Sequence, residues 1–518
     1  MRLLRLLSVL SFLCSAAQAA PPVPGQKIDR IVIDVYDVFE TDDPAEDTTL
    51  YTLANSIHIR TREAIVRREL LFAAGDPYDP DLIAETERNL RSLPFIRRAE
   101  VTGYVSSTGT LSVMVRVYDA WTLQPVFDLK RSGGATDMKF GLSEENVLGY
   151  GKTLSVEYGK NGHADTRDFH WADRQVLGTR LRWDLLAKDS PTSREYAARL
   201  ERPFFASIAR FSYGVTGRYA DTPVQTYANE ALLGDDVRST SEGTVFAGYA
   251  LESSPRRSKR VTVGLEHVRN HWRLRDRQRL TFFRAGAELK EFEFIKRRRI
   301  RKLSRQEDFN LGWEIDPGAA YAPKALGSTE EQLQPRIALR KGWRLPGEGF
   351  VLIDNEYKST YVNGGNGARV LGLDVEAFLL PHPRHTVALH AGFAHGWRLD
   401  PSEPLTLGED SGLRGYGRGY LRGRERLLFN LEDRIFFVEN LLKLLDMGGV
   451  VFFDAGNVWR RGEAPRWGSI KKSAGVGLRL GATRSAANDP IRLDVARALD
   501  DNGQRSRWSV SILAGHAF

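Results

Sequence analysis

Hydrophobic and polar positions follow two rhythms along this chain, and the change from one to the other falls near Trp121. Before it, β-branched runs alternate with stretches whose apolar residues recur at helical spacing. The run Ile31-Val32-Ile33-Asp34-Val35 predicts a strand. Glu40 to Asp47 is acidic and holds Pro44, which predicts an exposed loop. A helix is expected to open at Thr61 and to carry Ile65, Val66 and Leu70 until Gly75-Asp76 ends it. A second should start at Asp79-Pro80, an N-cap followed by proline in its preferred first-turn position. It places Leu82, Ile83, Thr86, Leu90 and Leu93 on one face until Pro94. Two strands follow, Ala99 to Tyr104 and Leu111 to Val117, joined by Ser106-Ser107-Thr108-Gly109. In the second, Leu111, Val113, Val115 and Val117 alternate with Ser112, Met114 and Arg116, so one face packs on the helices and the other meets water.

Beyond Trp121 the period becomes two. Segments of roughly ten residues alternate between apolar and polar positions and are parted by Gly, Asp, Asn and Ser clusters. Leu154, Val156 and Tyr158 alternate in one segment, and Leu181, Trp183 and Leu185 in another. No helical period of comparable strength interrupts them. At about 25 residues per strand with its share of loop, the region would hold about 16 strands. The last segment alternates Trp508, Val510, Ile512, Ala514, His516 and Phe518, and reads as the closing strand. The expected architecture is an all-β transmembrane barrel of about 16 antiparallel strands over 120–518, preceded by one small α+β domain over 26–118.

Composition and charge refine this picture in three places. Arg2 and Arg5, an apolar stretch from Leu6 to Leu13, and Ala17-Gln18-Ala19 read as a secretory signal peptide over 1–19. Leu13 stands where a lipoprotein site before Cys14 would need a small residue, so the single cysteine leaves with the signal. The mature chain then has no disulfide, iron–sulfur cluster or catalytic thiol. The 47 Gly, 17 Tyr, 25 Phe and 10 Trp supply turn formers and rings without making the chain apolar overall. A mean hydropathy of -0.36 suits a barrel, in which only alternate residues face lipid. No stretch after the signal reaches the ~18 uncharged apolar residues of a membrane helix.

The net charge of +8 peaks at Lys296-Arg297-Arg298-Arg299 with Arg301-Lys302. In an exported chain without a nucleic-acid-binding motif this run reads as a solvated loop or strand end facing anionic headgroups or lipopolysaccharide, not nucleic acid. The ten His include His382 and His385 in a proline-bearing turn, and neither a Gly-x-Ser-x-Gly elbow nor a His-Glu-x-x-His pair occurs. No catalytic residue, metal site or cofactor is expected, and the chain does not read as an enzyme.

The order strand, helix, helix, strand, strand, with Arg68-Glu69-Leu70, Gly75-Asp76-Pro77-Tyr78 and Leu93-Pro94-Phe95 at the junctions, resembles a POTRA domain. Such domains are periplasmic modules that precede outer-membrane assembly barrels. Further on, Asn146-Val147-Leu148-Gly149-Tyr150-Gly151, Leu413-Arg414-Gly415-Tyr416, Asn430-Leu431-Glu432 and Phe452-Phe453-Asp454-Ala455-Gly456-Asn457-Val458-Trp459 follow in order. Together they resemble the bacterial surface-antigen superfamily that includes the BamA and TamA assembly factors and the two-partner secretion transporters. The resemblance covers the chain from about residue 26 to its end.

The resemblance implies a loop folded into the barrel lumen, with Arg414, Gly415 and Tyr416 at its tip and Arg414 contacting Glu432 and Asp454, the latter in one motif with Gly456. It also implies that Trp508, Val510, Ile512 and Phe518 form a recognition signal for outer-membrane proteins, from which His516 departs. The expected place is the cell outer membrane with the POTRA domain in the periplasm. The expected partners are the bilayer and lipopolysaccharide, unfolded outer-membrane or secreted client proteins, and accessory assembly proteins. The expected function is insertion or translocation of other proteins through a seam where Val147 to Tyr158 meets Trp508 to Phe518 by few hydrogen bonds. A lone POTRA-like module keeps two alternatives open, a secretion pore for a dedicated exported protein and a passive porin-like barrel.

Overall fold

The structure, a computed structural model, describes residues 21–514 apart from 133–134, 162–163, 192, 229–230, 273–276, 304, 402, 464, 487–488 and 502–506. The expected signal peptide, His516 and Phe518 lie outside the described residues. The chain divides into two compact units, the first running to Thr122 and including the short stretches 145–151 and 484–486.

The first unit builds a three-stranded sheet from Arg30–Tyr36, Ile96–Val105 and Leu111–Asp119. Leu111–Asp119 lies in the middle, parallel to Arg30–Tyr36 and antiparallel to Ile96–Val105. Its Leu111, Val113, Val115 and Val117 are fully buried against Ile65, Val66, Ile83, Leu90 and Phe95. Helix Pro80–Arg91 begins where its sequence requires, because the Asp79 carboxylate accepts the N–H groups of Asp81 at 2.8 Å and Leu82 at 3.4 Å. The other expected helix is shorter and later, Glu63–Glu69. Thr61 does not open it, because the Thr61 N–H is held at 2.7 Å by the buried Asp119 carboxylate. A third helix, Thr49–Ile57, follows directly on the acidic stretch and was not anticipated. It is capped by Thr48 and turns Leu50, Leu53 and Ile57 outward, so its apolar face lacks the buried signature by which a helix is read.

Among the described residues the second unit is one closed sheet of twenty strands, beginning with Leu123–Ser132 and ending with Trp508–Ala514, which are neighbours across the closure. The expectation of about 16 strands is therefore corrected upward. Several strand pairs, such as Phe350–Val362 with Gly365–His382, are joined by the shortest of turns, so each strand takes about 20 residues instead of 25. The position of the first strand is corrected too. Leu123–Ser132 is the strand beside the C-terminal one, while Val147–Gly149 is a single 3-10 turn with Leu148 at φ 53°. The seam therefore lies between Leu123–Ser132 and Trp508–Ala514.

Side chains alternate through the barrel wall as a period of two requires. In Glu425–Leu441, Asn430, Glu432 and Arg434 are at most 2% exposed, whereas Phe429 and Leu431 on the other face are 38% and 37% exposed. Val263, Phe283, Val451 and Val476 are likewise turned outward, as are Trp508, Val510 and Ile512 of the last strand. Among the described residues no helix is long and apolar enough to cross a membrane.

Two segments leave the ring and form hairpins of their own. Phe294–Arg298 pairs with Gln306–Asn310, and Leu405–Leu407 pairs with Leu421–Gly423. Successive ring strands are antiparallel, so connections alternate between the end where Leu123 begins, here the proximal end, and the distal end. The first hairpin hangs from the proximal end and the second from the distal one.

Candidate functional site

The distal segment, residues 398–424, packs on the buried polar face of neighbouring strands. Its course needs residues that tolerate a left-handed backbone, and Gly412 and Gly415 take φ of +100° and +85°. A Cβ on Gly415 would also stand 3.1 Å from the main-chain nitrogen of Ala498. Between these glycines Leu413 and Arg414 are driven inward, to 0% and 1% exposure.

Arg414 makes a fork against two strands. Its Nε and Nη2 donate to the two oxygens of Asp454 at 2.8 and 2.7 Å, and Nη1 donates to Glu432 Oε1 at 2.7 Å. The guanidinium lies 3.4 Å above the Phe452 ring. Glu432 and Asp454 are fully buried, so these charge-assisted bonds are formed away from bulk solvent, where each is strengthened. Asn430 donates to the Gly412 carbonyl at 2.7 Å and to Asp454 Oδ1 at 2.8 Å, which ties the loop backbone to the same carboxylate.

Tyr416 and Tyr420 close the other flank, donating to the carbonyls of Lys472 at 2.8 Å and Asp501 at 3.2 Å. Burial pushes the Tyr416 phenol up to about 12, with nearby Asp500 adding to the shift. Gly456 has a spatial reason. A Cβ there would meet the Leu427 carbonyl at 2.7 Å and the Leu407 side chain at 2.8 Å, so the glycine makes room for the small hairpin.

The group is wider than its sequence motifs. Asp494 lies 3.6 Å from Arg414 Nη1 and receives Arg479 Nη1 at 2.5 Å. Arg434, two residues along the strand from Glu432, donates from Nε to Glu432 Oε2 at 2.8 Å and from Nη1 to the Ile300 carbonyl at 2.6 Å. Ile300 belongs to the proximal segment. The basic run there is not simply a solvated loop, because Ile295, Ile300, Phe309 and Leu311 are buried with Phe350 and Phe378. Lys296, Arg298 and Arg301 of the run remain exposed. Arg299 pairs with Glu439 and Arg301 with Glu376. Glu432 thus touches a segment from the distal end through Arg414 and, through Arg434, one from the proximal end.

Asp494, Arg434 and Arg479 were not picked out from sequence. The signal that could have found them is parity, since each falls on the polar phase of a period-two strand, as Glu432 and Asp454 do. The Asn146–Gly151 motif belongs to the first unit. There Asn146 donates to Thr61 Oγ1 at 2.9 Å and accepts the Gly151 N–H at 2.7 Å.

No family model matches the chain. Over 125 residues it is 26% identical to the outer membrane protein assembly factor BamA of Neorickettsia risticii, a match to 23% of this chain and 16% of that protein. The chain thus spans about one sixth of the length of the curated relative it matches. BamA from Haemophilus ducreyi lacking POTRA domains 1-3 aligns over 94% of this chain and 83% of that one, at 13% identity and a TM-score of 0.41. CdiB from Acinetobacter baumannii aligns over 94% and 73%, at 12% identity and a TM-score of 0.45. The curated relative is an assembly factor of the superfamily that the four motifs resemble.

Proposed function

We propose that this chain is an outer-membrane assembly factor of the BamA and TamA kind, which inserts or translocates other proteins and places its first unit, a POTRA-like domain, in the periplasm. The observation that carries the reading is the clasp of Arg414 on Glu432 and Asp454, which holds segment 398–424 against the wall. In an outer membrane the apolar face bearing Phe429, Leu431 and Val451 meets lipid, so the clasped segment occupies the lumen. The site supplies no reaction. Its work is mechanical: it keeps the lumen filled and stiffens the strands next to the closure.

Client strands would engage backbone groups. The sheet of the first unit ends in Arg30–Tyr36 on one side and Ile96–Val105 on the other, and such edges can pair with an extended chain. The closure between Leu123–Ser132 and Trp508–Ala514 is the second place where an incoming strand could add, because opening it frees two edges in a wall that is otherwise fully paired.

Depletion of the protein followed by comparison of the outer-membrane proteome tests the reading. Broad loss of barrel proteins supports assembly. Loss of a single exported protein moves the function to a dedicated secretion pore. Vesicles that gain ion conductance without faster folding of added barrel proteins would make it a passive porin. A disulfide engineered across the closure should abolish activity, and full activity of the locked protein refutes the opening step.

A further inference from the structure

The ionised side chains around the clasp do not balance. Among the described residues, contacts of 4.0 Å or less bring three guanidiniums, those of Arg414, Arg479 and Arg492, to the one carboxylate of Asp494. None of these side chains is more than 8% exposed. An uncompensated charge in such a place is costly.

The imbalance has an address. Arg479 and Arg492 stand directly opposite each other on neighbouring strands, where like charges repel. They share Asp494, which is 2.5 Å from Arg479 Nη1 and 4.0 Å from Arg492 Nε. Nε and Nη2 of Arg479, and Nε and Nη1 of Arg492, are buried without a hydrogen-bond partner among the described residues. Asp446, another buried carboxylate of this wall, is engaged by the Asn440 N–H.

The free edge of Arg479 is the edge that Arg414 uses. Arg414 grips both oxygens of Asp454 with Nε and Nη2, so this protein already shows what that fork holds. The same pair of N–H groups matches two oxygens of any small oxyanion. We propose that Arg479 and Arg492 form a buried binding site for a small free oxyanion of the inorganic phosphate type. The anion seats on Nε and Nη2 of Arg479 and is met by Arg492 from the facing strand. A bound anion lowers the excess of positive charge gathered around Asp494. With the two side chains only 1% and 8% exposed, a free ion suits the site and a headgroup tethered to acyl chains does not.

The test uses the full chain in detergent. Equilibrium dialysis against radiolabelled phosphate should retain about one ion per chain, and Tm should rise as phosphate replaces chloride at constant ionic strength. Arg479→Lys keeps the charge but loses the fork, and should weaken phosphate binding at least about tenfold. Arg492→Gln should weaken it as well. Retention of no phosphate by the wild-type chain overturns the proposal, as does full affinity in Arg479→Lys. Should neither variant fold, the wild-type stoichiometry decides.

Discussion

Replacing Arg414 by Ala removes three charge-assisted hydrogen bonds of 2.7–2.8 Å and leaves two carboxylates at 0% exposure without their shared cation. Breaking a buried pair by deleting one partner costs about 3–5 kcal/mol. Asn430 and Arg434 still reach Asp454 and Glu432, which places this variant toward the lower half of that range. At about 1.4 kcal/mol per tenfold, the population of undocked loop should rise by roughly a hundredfold or more. The assay is limited proteolysis of the detergent-solubilised chain, together with hydrogen exchange of the amides between 405 and 423. Both should report the opening equilibrium in that segment while the barrel strands stay protected. Arg414→Lys keeps one charge without the fork and should fall between wild type and Ala. In an Arg414→Met background, Glu432→Gln with Asp454→Asn should recover part of the loss, because the buried negative charges are gone. Loop proteolysis and exchange in Arg414→Ala within about twofold of wild type would refute the reasoning, since a ~3 kcal/mol effect cannot hide there.

Three further outcomes are expected. Glu432→Gln should loosen both segments that meet at this residue, 398–424 and 292–313, whereas Asp454→Asn should loosen only the first; hydrogen exchange resolves the two, and equal effects would break the proposed link through Arg434. The Tyr416 phenol has its folded value raised from 10.0 to about 12, so its contribution to docking is fully present below pH 10 and is lost as pH rises towards 12. Tyr416→Phe should remove that part of the pH dependence, and an unchanged difference between wild type and variant from pH 9 to 12 would count against it. Gly456→Val should displace the Leu405–Leu407 hairpin, since even a Cβ meets Leu407 at 2.8 Å; wild-type protease resistance of the hairpin would contradict the spatial reason given for the glycine.

Local chemistry was legible in the residues. The Asp79 cap with Pro80, and the alternation of Leu111, Val113, Val115 and Val117, describe elements whose neighbours are close in sequence, and these appear where the pattern places them. The change of period near Trp121 likewise separates the two kinds of fold, because an alternating strand shows its two faces without reference to its partners. Arg414, Glu432 and Asp454 could be grouped from their motifs, and the structure brings them within 2.7–2.8 Å. Helix Thr49–Ile57 escaped notice because its apolar residues face outward and so do not mark a buried stripe.

What periodicity cannot report is adjacency. A period of two says which face a residue takes, but not which strands stand next to one another or how many complete the ring; that follows from register and closure, set by pairings across hundreds of residues. The ring therefore has twenty strands where residue spacing implied about sixteen, and its seam lies at Leu123–Ser132 rather than near Val147. The same limit hid the wider charge network. Arg479, Arg492 and Asp494 are ordinary polar-phase residues in the sequence, and Asp494 came to lie near all of Arg414, Arg479 and Arg492 only when the strands were laid side by side. The sequence by itself determined the faces and the forked cation; tertiary structure alone decided the company that cation keeps, because burial and ion pairing depend on residues far apart along the chain.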